Sequence, residues 1–477
     1  MELEFFGAAG EITGSCHILT VNGRRILLDC GLIQGGRRDE RRNRDPFPFN
    51  PADIDAVVLS HAHIDHSGRL PLLIRRGFTG AIHTQKASRD LCAILLRDSA
   101  SLNERDVARE NRRRQRRGKR PLDPLYTAAD ADVAIKAMVG HRYKTAIDVV
   151  PGVTATFHDA GHIMGSSVVE LDLKAGDKRR KIVFSGDIGQ YDTPILRDPE
   201  SLPRADLIVL ESTYGGRRHR PRQETIDELG EIIRGSGKRS GNILIPAFAV
   251  GRSQELLYTL GKHYDEWDVG RYQIFLDSPM AIEASRIYWD YPHLYDDEAT
   301  KLRREHDQMP PLPNLTLSKS PDQSRAINRL NGGAIVIAGS GMCNGGRILH
   351  HLKHNVWRPD AQVIIAGYQG SGSLGRRLVD GKATIKIHGE TIRVAAKVHT
   401  VGGLSAHGDE DDLCRWYKPF RNRPPVFLVH GEKKSGRRLM ARFKNDFGCQ
   451  VTPARPGMRV NLDELRVHDP GVSLERN

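Results

Sequence analysis

At 477 residues the chain exceeds one ordinary domain, and two to three are expected. Lys and Arg outnumber Asp and Glu by 72 to 59, a formal net charge of +13, which favours a polyanionic partner, nucleic acid before membrane. The six cysteines form no Cys-x-x-Cys pair, Glu2 and Glu4 stand where a basic leader would begin, and no apolar run approaches the roughly 20 residues that cross a bilayer, so disulfide scaffolds and membrane spans are excluded and a cytoplasmic protein is expected.

Residues 3–7, 15–21 and 25–29 read as three short strands, with Asn22-Gly23 marking a hairpin. The third strand delivers Asp29 just before Gly31. An Asp there either caps a turn or holds a ligating histidine by its second ring nitrogen. Residues 56–59 are an apolar run that reads as a buried strand and gives way after Ser60 to His61, His63, Asp65 and His66. Four ligand-type side chains in six residues, at the end of a core strand, open a metal site. His61 and His63 point to the same side of an extended segment, whereas Asp65 and His66 follow a turn and can face a second ion. Imidazole and carboxylate without cysteine suit zinc, with manganese or iron as weaker competitors.

A helix over 70–76, a strand over 81–84 and a long helix over 86–102 follow. Residues 112–120 hold seven basic side chains in nine, either a solvated insertion or a segment that contacts phosphates. Residues 153–173 read as two strands around the loop 159–165, whose glycines permit a backbone that presents His162. The strand-then-ligand theme recurs at 181–189, which exposes Asp187, and at 207–210, which ends in Glu211.

From 212 to 380 strands alternate with helices, implying a mostly parallel sheet covered by helices. Strands are expected at 243–246, 273–276, 334–338 and 363–366, with helices at 252–263, 280–291, from 347 and near 376. The Pro-rich stretch 305–322 reads as a connecting loop. The glycine-rich stretch 339–346, between strand and helix, is a tight turn or an anion site. From 383 a period of two returns over 384–388 and 391–401. A helix at 411–417 and a strand at 426–429 ending in His430 complete the pattern. The first domain therefore resumes after an insertion, giving 1–211, 212–380 and 381–477. His350, His351, His388 and His399 read as surface or core residues.

His61-Ala-His-Ile-Asp-His66 resembles the His-x-His-x-Asp-His signature of the metallo-β-lactamase fold, and Asp29, His162 and Asp187 fall where that fold keeps its other motifs. Glu211-Ser-Thr-Tyr-Gly, Pro246-Ala-Phe-Ala-Val-Gly-Arg252, Asp277-Ser-Pro, Ser340-Gly-Met, Ser405-Ala-His407 and Val429-His430-Gly resemble its β-CASP branch of nucleases, which includes the pre-mRNA 3′-end cleavage subunit and stand-alone prokaryotic ribonucleases. The resemblance implies an α/β fold, a four-layer αββα metallo-β-lactamase sandwich with an inserted α/β β-CASP domain. It implies two zinc ions, manganese being admissible, with His61, His63 and His162 at one, Asp65, His66 and His430 at the other, and Asp187 bridging them. It places Asp29 behind a ligand histidine and pairs Glu211 with His407 as the acid that protonates the leaving oxygen. Arg252, Ser340, Gly341 and Arg347 are implied as contacts to substrate phosphate. The activity implied is hydrolysis of single-stranded RNA in processing or decay, with a homodimer admissible.

Two other readings stay open on the residues alone. One is a small-ester or thioester hydrolase of the same fold, against which the basic run and the large insertion argue. The other is a non-catalytic RNA-binding scaffold, against which the full ligand set argues.

Overall fold

A computed structural model of the chain describes residues 1–235, 241–306, 309–370 and 372–469. The chain divides into two compact units. One comprises Met1–Tyr191, Asp198–Arg218 and the chain from His407 on; the other comprises Asp192–Arg197 and His219–Ala406.

The first unit is built on two mixed sheets. In spatial order the first sheet runs Arg466–His468, Arg459–Asn461, Glu2–Gly7, Cys16–Val21, Arg24–Leu28, Ala56–Val58, Ala81–Gln85 and Met138–His141. The second runs Val451–Pro453, Val426–Val429, Leu207–Glu211, Lys178–Phe184, Ser167–Ala175, Val153–Asp159 and Ala146–Val150. Period-two alternation sorts the side chains of the second sheet between two cores. Leu207, Val209, Phe427 and Val429 join Leu3, Phe5, Leu19 and Leu28 of the first sheet between the sheets. Ile208, Leu210, Val426 and Leu428 point the other way, onto Leu413, Trp416 and Tyr417 of helix Glu410–Tyr417 and Leu439 and Phe443 of helix Lys433–Phe447. Helices Leu70–Arg75, Lys86–Gln115 and Ala128–Lys136 pack together beside the first sheet. The result is the expected helix–sheet–sheet–helix sandwich.

The second unit is a six-stranded sheet, in the order Leu315–Leu317, Gln273–Leu276, Ala334–Ala338, Ile243–Pro246, Gln362–Ile365 and Lys397–Thr400, with every neighbouring pair parallel. Its four inner strands are apolar on both faces, as a sheet covered on both sides requires. Ile243, Ile245, Ile335 and Ile337 meet Leu256, Leu257 and Leu260 on one side. Leu244, Val336 and Val363 meet Ile348 and Leu352 on the other.

Four expectations need correction. The stretch 391–401 is two strands rather than one. Glu390–Arg393 folds back on Thr384–Ile387 across a His388-Gly389 turn with both φ positive, and Lys397–Thr400 then lies parallel to Gln362–Ile365. The second unit therefore continues to Ala406 and the return comes at His407, later than 381. The stretch 305–322 contains an edge strand, Leu315–Leu317, which pairs with Gln273–Leu276. The helix expected to end at 102 runs over Lys86–Gln115, because no Gly or Pro interrupts it before Gly118.

The ligand turn after Ala56–Val58 is seated by main-chain bonds. Ser15 N donates to Asp65 O at 2.9 Å, Cys30 N to His66 O at 2.7 Å and Leu32 N to Ile64 O at 2.8 Å. Gly31 lies under this turn, where a Cβ would stand 1.5 Å from Asp65 O. Gly31→Ala is therefore expected to displace the turn and to cost at least about 1–3 kcal/mol, as overpacking of a tight interior does. A lowered denaturation midpoint checks this; an unchanged midpoint contradicts it.

Candidate metal centre

Parallel neighbours end on the same edge of a sheet, and this chain uses that edge repeatedly. Arg24–Leu28 and Ala56–Val58 run parallel and deliver Asp29 and the 61–66 segment. In the second sheet Lys178–Phe184, Leu207–Glu211 and Val426–Val429 run parallel and deliver Asp187, Glu211 and His430. His162 comes from the loop between Val153–Asp159 and Ser167–Ala175. All of these residues, and His407, belong to the first unit.

The side chains converge as two sets sharing one carboxylate. Ligand atoms of His61, His63, His162 and Asp187 lie within 4.8 Å of one another, as do those of Asp65, His66 and His430. His63 Nδ1 is 3.1 Å from His61 Nε2 and 3.0 Å from His162 Nε2. Asp187 divides its oxygens. Oδ2 is 3.4 Å from His61 Nε2 and 3.5 Å from His162 Nε2, whereas Oδ1 is 3.3 Å from His66 Nε2 and 3.7 Å from His430 Nε2. His430 Nε2 is also 3.4 Å from Asp65 Oδ2. Ligands at about 2.0–2.2 Å from a tetrahedral ion stand roughly 3.3–3.6 Å apart, and the carboxylate–imidazole separations of 3.3–3.7 Å lie close to that, as suits zinc. Two buried atoms, His66 Nε2 and Asp187 Oδ1, have no hydrogen-bond partner, and a cation between them satisfies both.

The second ring nitrogens are held as well. Asp29 Oδ2 accepts from His66 Nδ1 at 2.7 Å, while its two oxygens also take Ser60 N, Ser60 Oγ and Ser15 Oγ at 2.8–3.0 Å. Ser60 Oγ is 3.0 Å from His61 Nδ1, and Thr213 Oγ1 is 3.0 Å from His430 Nδ1 while donating to His430 O. Ser60 and Thr213 were not anticipated. The only signal was position, Ser60 directly before His61 and Thr213 inside the Glu211-Ser-Thr-Tyr-Gly motif.

Burial first, and neighbouring rings second, lower the imidazoles of His61, His162 and His63, the last to about 3, so these rings are neutral and keep lone pairs for a cation. Burial opposes ionisation of Asp65 and Asp187, but His430 and His66 outweigh it and hold both below the ordinary carboxylate range. Burial would likewise lower His66, yet Asp187 and then Asp29 raise it well above its ordinary value. A cation at Nε2 takes the place of that proton.

His407 stands beside the sets. Its Nδ1 lies 3.2 Å from both Glu211 oxygens and 3.8 Å from Asp187 Oδ2. Glu211 is fully buried and also accepts from Ile188 N at 2.7 Å. Burial would lower His407, but Glu211 and then Asp187 hold it up at about 9, so the ring is cationic at neutral pH. Its side chain is 21% exposed.

Arg252, Ser340, Gly341 and Arg347 lie in the second unit. Arg252 Nη1 pairs with Glu255, and Arg347 Nη1 donates to Asp277 Oδ1 at 2.6 Å and Ser318 O at 2.9 Å. Ser340 Oγ accepts from Asn344 N at 3.1 Å, which closes the 339–346 turn. Asp277 also takes the buried His351 Nε2 at 2.6 Å, a structural role as expected of that histidine.

Comparison with known proteins agrees with this geometry. Residues 9–224 match the Metallo-beta-lactamase superfamily, 253–378 the Beta-Casp domain and 391–453 the Zn-dependent metallo-hydrolase RNA specificity domain. The chain is 38% identical over 467 residues to Ribonuclease TTHA0252 of Thermus thermophilus, spanning 96% of this chain and all of that protein. It is 30% identical over 480 residues to Transcription termination factor FttA of Methanocaldococcus jannaschii (98% of this chain, 72% of that protein) and 33% identical over 483 residues to FttA of Pyrococcus abyssi (97% and 70%). The fold is shared with the crystal structure of a protein of unknown function from Enterococcus faecalis V583, with a TM-score of 0.54, 12% identity, and coverage of 96% of this chain and 99% of that one. The chain belongs to the β-CASP branch of the metallo-β-lactamase ribonuclease family, with a zinc-dependent metallo-hydrolase domain.

Proposed function

We propose that the chain is a ribonuclease that hydrolyses phosphodiester bonds of single-stranded RNA with two zinc ions, in RNA processing or decay. The observation that carries this reading is the division of Asp187 between two ligand sets, with the cationic His407 beside it. The names of its relatives, a ribonuclease and transcription termination factors, accord with an RNA substrate. Its six cysteines are free and buried, which accords with a reducing, cytoplasmic setting.

His61, His63 and His162 would hold one ion, Asp65, His66 and His430 the other, and Asp187 would serve both. Zinc bound there supplies a nucleophile near neutral pH and stabilises charge on the reacting phosphate. The protein supplies the rest. Asp29, Ser60 and Thr213 fix the ring orientations. Glu211 keeps the proton on His407, and the ring passes it from Nε2, the edge opposite Glu211, to the leaving oxygen. Arg252, Ser340, Gly341 and Arg347 are offered as contacts to substrate phosphates.

The basic run 112–120 has a definite form in which to meet RNA. It starts on the long helix and turns back, with Arg114 Nε donating to Arg120 O and Asn111 bonded twice to Leu122. Among the described residues none of its seven cations is found in an ion pair with Asp or Glu.

Three outcomes follow. Elemental analysis is expected to find close to two zinc equivalents, with Asp187→Ala losing more metal than Asp29→Ala; full occupancy in Asp187→Ala ends the bridging assignment. Replacing the basic residues of 112–120 by Ser or Gln is expected to weaken RNA binding and to lower the log–log salt slope by about 0.7 for each phosphate the protein ceases to neutralise. An unchanged slope makes the run a solvated surface. His407→Ala is expected to keep both metals and to lose about 10²–10⁴-fold in rate on RNA. On a nitrophenyl phosphodiester, whose leaving group needs no proton, that defect shrinks while the Asp187→Ala defect persists. Equal defects on both substrates place the leaving-group acid elsewhere.

A further inference from the structure

The second unit carries an aromatic feature that none of the roles above uses. Most of the chain's large aromatic side chains are buried, but Phe248 is 47% exposed, Trp357 51% and Tyr368 62%, and Phe248 and Tyr368 share one setting. Each follows a strand of the parallel sheet, Ile243–Pro246 and Gln362–Ile365, and these two strands are hydrogen-bonded neighbours. Both carrying segments rest on the same piece of the 339–346 turn.

On one side Gly341 packs directly on the Phe248 ring, where a Cβ would stand 2.9 Å from two ring carbons. Any side chain at 341 would push that ring away. The Phe248 main chain is fixed in turn, its carbonyl accepting from Ser253 Oγ at 2.7 Å and Ser253 N at 3.3 Å. On the other side the neighbour of Tyr368, Gln369, is buried and donates from Nε2 to Gly341 O at 2.9 Å and to Gly367 O at 3.2 Å. Gly375 N donates to Met342 O at 3.2 Å. The Phe248 ring is thus backed by Gly341, and the residues on both sides of Tyr368 are tied down through the Gln369 side chain, although both aromatic side chains are exposed. Backing beneath an exposed ring, as at Phe248, and a tethered segment, as at Tyr368, are unnecessary for solvated surface residues and are what a stacking surface requires.

We propose that Phe248 and Tyr368, with the Gly341–Met342 backbone between their segments, form a platform on which unpaired nucleobases of the RNA substrate stack. This rests on the ribonuclease reading above and adds to it how bases, rather than phosphates, are received. An aromatic face accepts any of the four bases, because each has a π-face, so the platform selects single-stranded over paired RNA without selecting a sequence. Paired bases are already stacked on each other and have no face to offer.

The test measures KM and kcat on a single-stranded oligoribonucleotide, together with RNA affinity, for Phe248→Ala, Tyr368→Ala, Phe248→Trp and Tyr368→Phe, each with zinc content and melting temperature recorded. The alanine variants are expected to keep their zinc and to raise KM about five- to a hundred-fold, the range that loss of one base–aromatic stack gives, with kcat changed less. The Trp and Phe variants are expected to restore binding. Abasic scanning of the RNA supplies the second arm. One abasic position should weaken binding to the unaltered protein and have little further effect on an alanine variant. Alanine variants that bind RNA like the unaltered protein, or abasic and alanine effects that simply multiply, overturn the platform. If the unaltered protein with its zinc cleaves no RNA at all, the ribonuclease reading fails instead, and the two failures are told apart by that control.

Discussion

A carboxylate buried to 2% exposure has to be neutralised by something, and Asp187 is the group around which the first unit solves that problem. An isolated ion removed from water costs several kcal/mol even after relaxation, which no single neutral contact offsets. Here four histidine nitrogens stand 3.3–3.7 Å from its two oxygens, and one of them, His430 Nε2, also lies 3.4 Å from the second carboxylate, Asp65. The set makes sense as a receptacle for positive charge. Three rings are held neutral by burial, ready to donate lone pairs, and the ring held cationic among the ligands, His66, faces the oxygen that lacks a hydrogen bond. The sandwich fold meets this need, since parallel strand ends from both sheets bring the seven candidate ligands to one place.

Holding such a cluster in register strains the backbone locally. Asp29 and His430 both occupy positive φ, at 58° and 49°, which costs a non-glycine residue roughly 1–3 kcal/mol. Each is over-determined by its bonds. Asp29 accepts four hydrogen bonds, and His430 is fixed by Ala8 O on its main-chain N–H and by Thr213 on its ring and carbonyl. At net contributions near 0.5–1.5 kcal/mol per bond, and more to a charged acceptor, those contacts are enough to hold the strained conformation.

The sequence made legible whatever is local. His61 to His66 could be read because the ligands crowd into one strand end, and Asp187, Glu211 and His430 because each terminates an apolar run. Period and spacing do not encode pairing, and that is where the reading failed. Residues 391–401 alternate like one strand, but the alternation of Glu390–Arg393 belongs to a hairpin and that of Lys397–Thr400 to the parallel sheet, a distinction only the partner strands make. The domain boundary moved from 381 to 407 for the same reason. Ser60 and Thr213 escaped notice because a hydroxyl that orients an imidazole is defined by tertiary distance: Thr213 is 217 positions from His430. Tyr368 and Phe248 were passed over because an exposed aromatic and a buried one look alike in a sequence.

A separation of the same kind underlies the proposed proton donation. Glu211 and His407 are 196 residues apart, and the chain between them is almost entirely the second unit. Closing a flexible loop of that length costs roughly 5 kcal/mol, whereas one hydrogen bond to a charged group contributes about 1.5–3 kcal/mol. The pair therefore cannot hold the loop closed by itself. Folding of the insertion has to bring its own ends together first, and the contacts for this are present. Thr225 Oγ1, on the first helix of the second unit, donates to Gly402 O at 2.8 Å, just before the chain leaves that unit. Outside it, Gly408 N donates to Ile188 O at 2.7 Å and Glu410 N to Arg217 O at 3.1 Å, which seats His407 opposite Gly189. The candidate metal ligands other than His430 precede the insertion in the chain, whereas His407, the proposed leaving-group acid, follows it. The placement of the insertion between Glu211 and His407 thus couples the proposed proton donor of the first unit to the folded state of the second.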